Sequence, residues 1–329
     1  MRRIAVTGSS GYIGSRLVAA LLGRADIECV LGLDVREPPT LPRAPFRFEK
    51  TDVRLPYADA LVRNRIDSAL HLAFAFAPSR RRRSAQAVNL GGTRHFLEAC
   101  LAAKVRRAVV LGSATVYGAD PGNCSALTES APLRAKPSFQ YGYEKRLCDE
   151  MCMRFAVEHP QVSLAICRPP IVLGPHVDNY FSRMLFKPKV VFARGDDPPM
   201  QYVHEEDISG AILALLESDE RGPFNVAPEG AMRLTELAAE FKRAPLMLPA
   251  GMLRLLCWTT YAGRLTWLNE TPPGALDYIR YPWLIDGGKL CRSTGFSFSY
   301  STAETVRAWR RSVLERVGAG EPPPGRIRV

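Results

Sequence analysis

The chain lacks any apolar run long enough to cross a bilayer as a helix. Its longest greasy stretch, Leu246 to Ala262, is interrupted by Pro249, Gly251 and Arg254 and falls short of the roughly 20 residues that a span needs. Cysteine pairs at redox or metal-ligand spacing are missing too. The eight cysteines, at 29, 100, 124, 148, 152, 167, 257 and 291, form no CxxC. Cys148 and Cys152 lie one helical turn apart without a His or Cys partner pair, so no metal site is expected. Near Met1 only Ile4-Ala5-Val6-Thr7 precede Gly8-Ser9-Ser10-Gly11, too little for the core of an export signal. The expectation is a cytoplasmic protein with reduced, buried thiols. Internal repeats are absent.

What is there is ordinary globular material. Of 329 residues, 47% are hydrophobic and 23% charged, which excludes a disordered chain, a collagen-like repeat and a small disulfide scaffold. The formal charge is +11, yet Arg80-Arg81-Arg82-Arg83 is the only dense basic run and no aromatics interleave with it. It reads as a solvated loop. No nucleic-acid partner is expected; attraction of an anionic substrate is the better use of the charge.

Through the first half, short β-branched runs alternate with helical patterns. Ile4–Val6, Cys29–Leu33, Phe46–Phe48, Ala69–Ala73, Ala108–Leu111 and Leu164–Cys167 read as strands. Gly14–Leu22, Ala85–Ala103 and Tyr141–His159 read as helices. Strands apolar on both faces, alternating with helices, predict an α/β fold: a Rossmann-type doubly wound parallel sheet with its crevice at the carboxyl ends of the strands. The expected division is a dinucleotide-binding domain over 1–168 and a substrate lobe over 169–317. That lobe, with short strands such as Gln201–Val203 and helices such as Ile208–Leu216, is interleaved with returning sheet elements. A disordered tail is expected over 318–329. The greasy segment Leu246–Trp267 reads as a substrate wall, as lobe core or as a dimer surface.

The strongest local signal is Thr7-Gly8-Ser9-Ser10-Gly11-Tyr12-Ile13-Gly14, at the end of one strand and the start of a helix. Glycines here permit a tight turn and close approach of backbone to a pyrophosphate, while the helix N-terminus offers free N–H groups. Asp34 ends the second strand 20 residues beyond Gly14, where a carboxylate accepts hydrogen bonds from a ribose and repels a 2′-phosphate. That favours NAD; Arg36 keeps NADP in view as the less favoured cofactor.

The GxxxGxxG spacing from Gly8 resembles the short-chain dehydrogenase/reductase superfamily. Leu111-Gly112-Ser113-Ala114-Thr115-Val116-Tyr117-Gly118, Tyr141-Gly142-Tyr143-Glu144-Lys145 and Arg168-Pro169-Pro170-Ile171-Val172-Leu173-Gly174-Pro175 extend the match. With Asp52-Val53, His71-Leu72-Ala73 and Asn89-x-x-Gly92-Thr93, the order of motifs from residue 3 to about 230 resembles the extended branch, the NAD-dependent epimerase/dehydratase family. The resemblance implies Tyr141 as the base, Lys145 as its tuner and ribose ligand, and Ser113, with Thr115, on the substrate oxygen. It further implies that Asp52 and Val53 flank the adenine, and that Leu72, Ala73 and Phe74 line the cofactor groove. Asn89 would hold the loop after the fourth strand, and Pro170 and Ile171 would approach the nicotinamide. A homodimer through the Ala85–Ala103 and Tyr141–His159 helices is the family's habit. The chemistry needs these residue types: a secondary carbinol releases hydride only as its hydroxyl proton leaves, and a phenol with a pKa near 10 needs a nearby cation to serve as base at neutral pH. His71 reads as a packed strand histidine and His204 as structural.

The resemblance departs at the substrate. Nucleotide-sugar 4-epimerases carry an arginine where Met200 stands and an asparagine where Ile171 stands; a thioether makes no charge-assisted bond to a diphosphate. Arg183, Arg194 and Arg280 are the candidate replacements. The favoured expectation is a nucleotide-sugar 4-epimerase-like enzyme; the alternative is a net dehydrogenase or reductase of a less polar alcohol or ketone, resembling hydroxysteroid dehydrogenases. A third reading is an idle NAD-binding protein.

Overall fold

A computed structural model describes residues 2–40, 44–76, 82–265 and 267–320. Six parallel strands, β1 (Arg2–Thr7), β2 (Ile27–Asp34), β3 (Phe46–Lys50), β4 (Ser68–His71), β5 (Arg107–Leu111) and β6 (Ser163–Arg168), form one sheet. The strand Gly222–Asn225, from far beyond β6, pairs parallel with it to complete a seven-stranded sheet. The order is 3-2-1-4-5-6 followed by that returning strand. The fold is Rossmann-type, as the alternation predicts. The order reverses between β1 and β4, so the loops leaving those two strands diverge and open a crevice at their carboxyl ends.

Helices cover both faces because both faces are apolar. On one side Ile4, Val6 and Val30 pack with Leu17 and Leu21 of α1 (Tyr12–Leu22) and with Ile208, Ile212 and Leu216 of the helix Glu205–Glu217. On the other, Ala5, Leu31 and Leu33 meet Leu61 of α2 (Ala58–Arg63). The same face buries Phe96 and Cys100 of the helix Gly92–Ala102 and Cys152 and Phe155 of α5 (Gln140–Glu158).

The predicted helix Ala85–Ala103 is three pieces: α3 (Arg82–Gln86), a π turn over Ala87–Gly91 and α4 (Gly92–Ala102). The wide turn brings Asn89 inward, and its Oδ1 accepts the Ala75 N–H at 2.7 Å, so the irregularity serves a polar anchor. Arg82 and Arg83 open α3 rather than lying in a loop; Arg80 and Arg81 lie outside the described residues. Not every thiol is buried: Cys124 is exposed and Cys291 half-buried. The C-terminal helix Thr302–Gly318 takes in Gly318, and most of the expected tail, 321–329, lies outside the described residues.

A further core cluster brings Tyr117, Phe139 and Leu173 of β7 (Ile171–Leu173) together with Tyr202, Tyr278, Trp283 and Trp309. Among the described residues no helix is long and apolar enough to cross a membrane.

Candidate active site

β1 ends at Thr7 and the chain must turn at once into α1. Gly8 does so with φ +72°, a conformation open to glycine without a Cβ penalty. A Cβ there would stand 2.7 Å from the Ala73 backbone nitrogen, and one on Gly14 would stand 2.0 Å from the Gly8 carbonyl oxygen. Loop, helix and the end of β4 are therefore packed backbone against backbone. No side chain caps the first turn of α1, which leaves its N–H groups for an anion. Asp34 Oδ2 accepts the Ser10 N–H at 3.1 Å and its Oδ1 the Arg36 N–H at 3.0 Å. The first bond holds the glycine loop to the end of β2 and the second fixes the turn after it; a carboxylate with about four acceptor sites keeps capacity for hydroxyls.

Across the crevice, β5 delivers Ser113. Its Oγ accepts from the Thr115 N–H at 3.2 Å and from Thr115 Oγ1 at 2.9 Å, so the serine caps the short 3-10 turn Ala114–Tyr117. Both bonds have Ser113 as acceptor, which leaves its own O–H as a donor toward the Tyr141 phenol. Tyr141 and Lys145 stand one turn apart at the start of α5. Burial pushes the Tyr141 phenol up to about 12, with hydrogen bonding to Ser113 pulling the other way. Burial brings the Lys145 ammonium down to about 8. Lys145 Nζ donates to the Leu111 carbonyl at 2.5 Å and lies 3.9 Å from the centre of the Phe74 ring, where a cation is attracted by the ring face.

A single cleft of about 390 Å³ joins these parts. Its walls bring Gly8, Gly11, Tyr12, Ile13, Gly14, Leu72 and Phe74 together with Ser113, Thr115, Tyr141, Lys145, Pro170, Ile171 and Met200. Asp52, Val53, Ala73 and Asn89 stand behind that lining. Asp52 is paired to Arg54, whose hydrogen bonds hold its carboxyl below the usual range. Val53 packs beneath Gly92, where a Cβ would come within 2.8 Å of it. Asn89 also donates to Glu144 at 2.6 Å. His71 is buried between Thr7 and Thr93, stacked on Phe96, with its pKa lowered to about 3 by burial. His204 caps the helix Glu205–Glu217 and stacks on Tyr300.

Sequence reasoning missed the aromatic wall. Phe76 and Phe74 meet the Tyr141 ring edge-on at 4.8 and 5.5 Å, and Tyr180 stacks on Phe76 at 5.4 Å. Tyr278, 163 positions from Thr115, donates its hydroxyl to that residue's carbonyl at 2.7 Å. No local pattern marks such long-range partners. Also missed was Glu205, buried between two elements, whose carboxylate accepts from the Tyr12 hydroxyl at 2.5 Å and lies 2.5 Å from His176 Nδ1.

The candidate diphosphate grips do not reach the cleft. Arg183 is held by Glu270 at 2.6 Å and by Asp178 at 2.9 Å, and Arg280 is bonded to Asp196. Arg194 is exposed. Among the described residues the cations lining the cleft are Lys145 and Arg36. Leu246–Trp267 is not part of this lining; Trp258 and Trp267 face solvent.

Known proteins resemble the chain over most of its length. An uncharacterized protein of Mycobacterium tuberculosis is 28% identical over 312 residues, spanning 92% of this chain and 81% of its own. The solved UDP-glucose 4-epimerase of Thermotoga maritima superposes with a TM-score of 0.74 at 18% identity, covering 96% of this chain and 99% of its own. The UDP-glucuronic acid 4-epimerase of Bacillus cereus, solved with UDP-glucuronic acid and NAD, gives 0.72 at 20% identity, covering 95% and 99%. At such identities the superpositions speak to the fold. The model of one family matches residues 4–227, from β1 through the glycine loop and α5 to the returning strand, and so the chain belongs to the NAD dependent epimerase/dehydratase family.

Proposed function

We propose that the protein is an NAD-dependent hydride-transfer enzyme acting at a secondary alcohol or its ketone, with Tyr141 as the proton carrier, and that its substrate is uncharged and largely apolar. The observation that carries the first part is convergence: Ser113, Tyr141 and Lys145 meet the glycine loop in one cleft. The residues fit NAD. Side chains larger than hydrogen at Gly8 and Gly14 would collide with backbone, α1 presents an uncapped first turn, and Asp34 sits where a ribose is read. When bound, NAD would supply a two-electron acceptor whose oxidised ring carries a positive charge.

The chain's own residues do the rest. Ser113, its acceptor capacity taken up by Thr115, donates its O–H to the substrate oxygen and orients it. Tyr141 accepts the hydroxyl proton during oxidation and returns it during reduction. Lys145, held between the Leu111 carbonyl and the Phe74 ring, provides the nearby cation that favours tyrosinate. Phe74, Phe76 and Tyr278 keep water from the phenol. Leu72, Ala73, Phe74, Pro170 and Ile171 are assigned to the cofactor groove. Asp52, Val53 and Asn89 support it from behind. Thr115 and Met200 are assigned to the substrate.

The substrate half decides between the two enzyme readings. A nucleotide sugar brings a diphosphate, which wants arginine or lysine. Here the described lining offers Met200, Phe139, Tyr180, Tyr278 and Trp283, with Asp178 at the rim. That favours the less polar alcohol over the 4-epimerase-like reaction. Incubation with NAD and two panels, aromatic or polycyclic secondary alcohols and uridine-, guanosine- or thymidine-diphosphate sugars, tests it. Stoichiometric NADH with the first panel is expected; interconversion of a nucleotide sugar without net NADH overturns the substrate assignment. Tyr141→Phe should lower kcat about 10³-fold while NAD still binds; near-normal turnover overturns the proton-carrier role.

A further inference from the structure

The helix Ala250–Ala262 carries its apolar side outward. Leu253, Cys257 and Thr260 are its buried residues, and the first two pack with Ala193 and Leu276. At about 100° per residue, Met252, Leu255, Trp258 and Thr259 fall on the opposite side. Met252 is 57%, Leu255 62% and Trp258 61% exposed, and Trp267 just beyond the helix is 62% exposed. A helix on a globular surface ordinarily shows water its polar face; this one shows leucine, methionine and tryptophan.

Its charges are of one sign. Residues 241–269 contain no aspartate or glutamate but hold Lys242, Arg243, Arg254 and Arg264. Arg254 lies at the edge of the apolar face, 63% exposed and 3.6 Å from Asp277. Thirteen residues make about 20 Å of helix, too short to span a bilayer. An apolar strip with tryptophans, bordered by Arg254 and Arg264 with Asp277 as the acid beside Arg254, is instead the composition of a helix lying in the headgroup region. A second copy seated on the same patch would double its excess of basic charge, whereas anionic lipid is complementary to both Arg254 and Arg264.

We propose that the outward face of Ala250–Ala262, with Leu265 and Trp267, docks the protein peripherally on anionic phospholipid surfaces. The inward neighbours Leu276 and Ile279 lead directly to the cleft, since Ile279 and Ala275 line it. The docked face is thus one layer of side chains from the candidate active site. The inference rests on surface composition and stands apart from the substrate assignment.

The test is co-sedimentation of the full chain with equimolar phosphatidylcholine–phosphatidylglycerol vesicles against pure phosphatidylcholine vesicles, with a blue shift of tryptophan emission as a second readout. Binding to the mixed vesicles is expected, weakened by salt. It should fall at least about tenfold in Leu255→Ser/Trp258→Ser and in Arg254→Gln/Arg264→Gln. Both pairs are surface changes, and unchanged NAD binding reports that the fold is intact. Protein left in the supernatant with both vesicles overturns the proposal. So does binding that ignores the substitutions, or a concentration-dependent dimer that the Leu255→Ser/Trp258→Ser pair abolishes while vesicles bind nothing.

Discussion

Lys145 is buried and Tyr141 half-buried, and desolvation works against the charged form of each. The phenol is raised to about 12 and the ammonium lowered to about 8, so the protein surroundings by themselves disfavour both tyrosinate and the charged lysine. For Lys145 the sign is definite. Its folded pKa lies below the ordinary value of 10.5, so burial costs most below about pH 8, where both folded and unfolded chains hold the proton. Between about 8 and 10.5 the unfolded chain still holds a proton that the folded one has released, and stability rises with pH. Lys145→Met should therefore abolish turnover yet stabilise the cofactor-free protein by about 1–3 kcal/mol at pH 7. Denaturant melts should show that gain shrinking as pH approaches 10.5.

Among elements, α5 matters most because it carries both of these side chains, and a buried network sets its position. Arg168, wholly buried at the end of β6, grips Asp149 of α5 through two bonds of 2.6 and 2.8 Å. Its Nη1 donates to the Tyr117 hydroxyl at 2.7 Å, which in turn donates to Asn225 on the returning strand at 2.7 Å. One arginine thus ties β6, α5, the turn after Ser113 and the last strand of the sheet. Arg168→Leu strands the Asp149 carboxylate in the interior and should cost about 3–5 kcal/mol, whereas Arg168→Leu/Asp149→Leu should recover much of it; urea melts of the two variants distinguish these outcomes. The Arg168-Pro169-Pro170 motif is visible in the sequence. Its partner on α5 is not, because a helix interior shows periodicity and not which acid meets which base.

For the whole molecule, the outstanding question is association. The family habit of pairing through α4 and α5 is our proposal here. Leu101 and Met151 flank a surface groove between those helices, away from the outward face of Ala250–Ala262 in sequence and in element. Sedimentation velocity should give a dimer, and Leu101→Glu/Met151→Glu should give a monomer with its NAD affinity retained. A monomeric parent chain would refute this.

The sheet and the tight glycine turn were legible before any coordinate, as was the one-turn spacing behind the proposed roles of Tyr141 and Lys145, because each depends on short-range rules. Strand runs alternate with helices, a tight turn demands glycine at Gly8 and Gly14, and a one-turn spacing joins Tyr141 to Lys145. The π turn at Asn89 was not legible, since a helix with one residue too many keeps nearly the same apolar pattern. Nor was the outward face of Ala250–Ala262, for a leucine-rich helix reads alike whether its apolar side is covered or bare. The character of the substrate pocket was equally hidden. Met200 announced a missing cation, but only packing could show Arg183 and Arg280 engaged with carboxylates and Tyr278 swung in from a distant segment. Local conformational preference is written in neighbouring residues; side-chain partnership across the chain exists only once the chain has closed on itself.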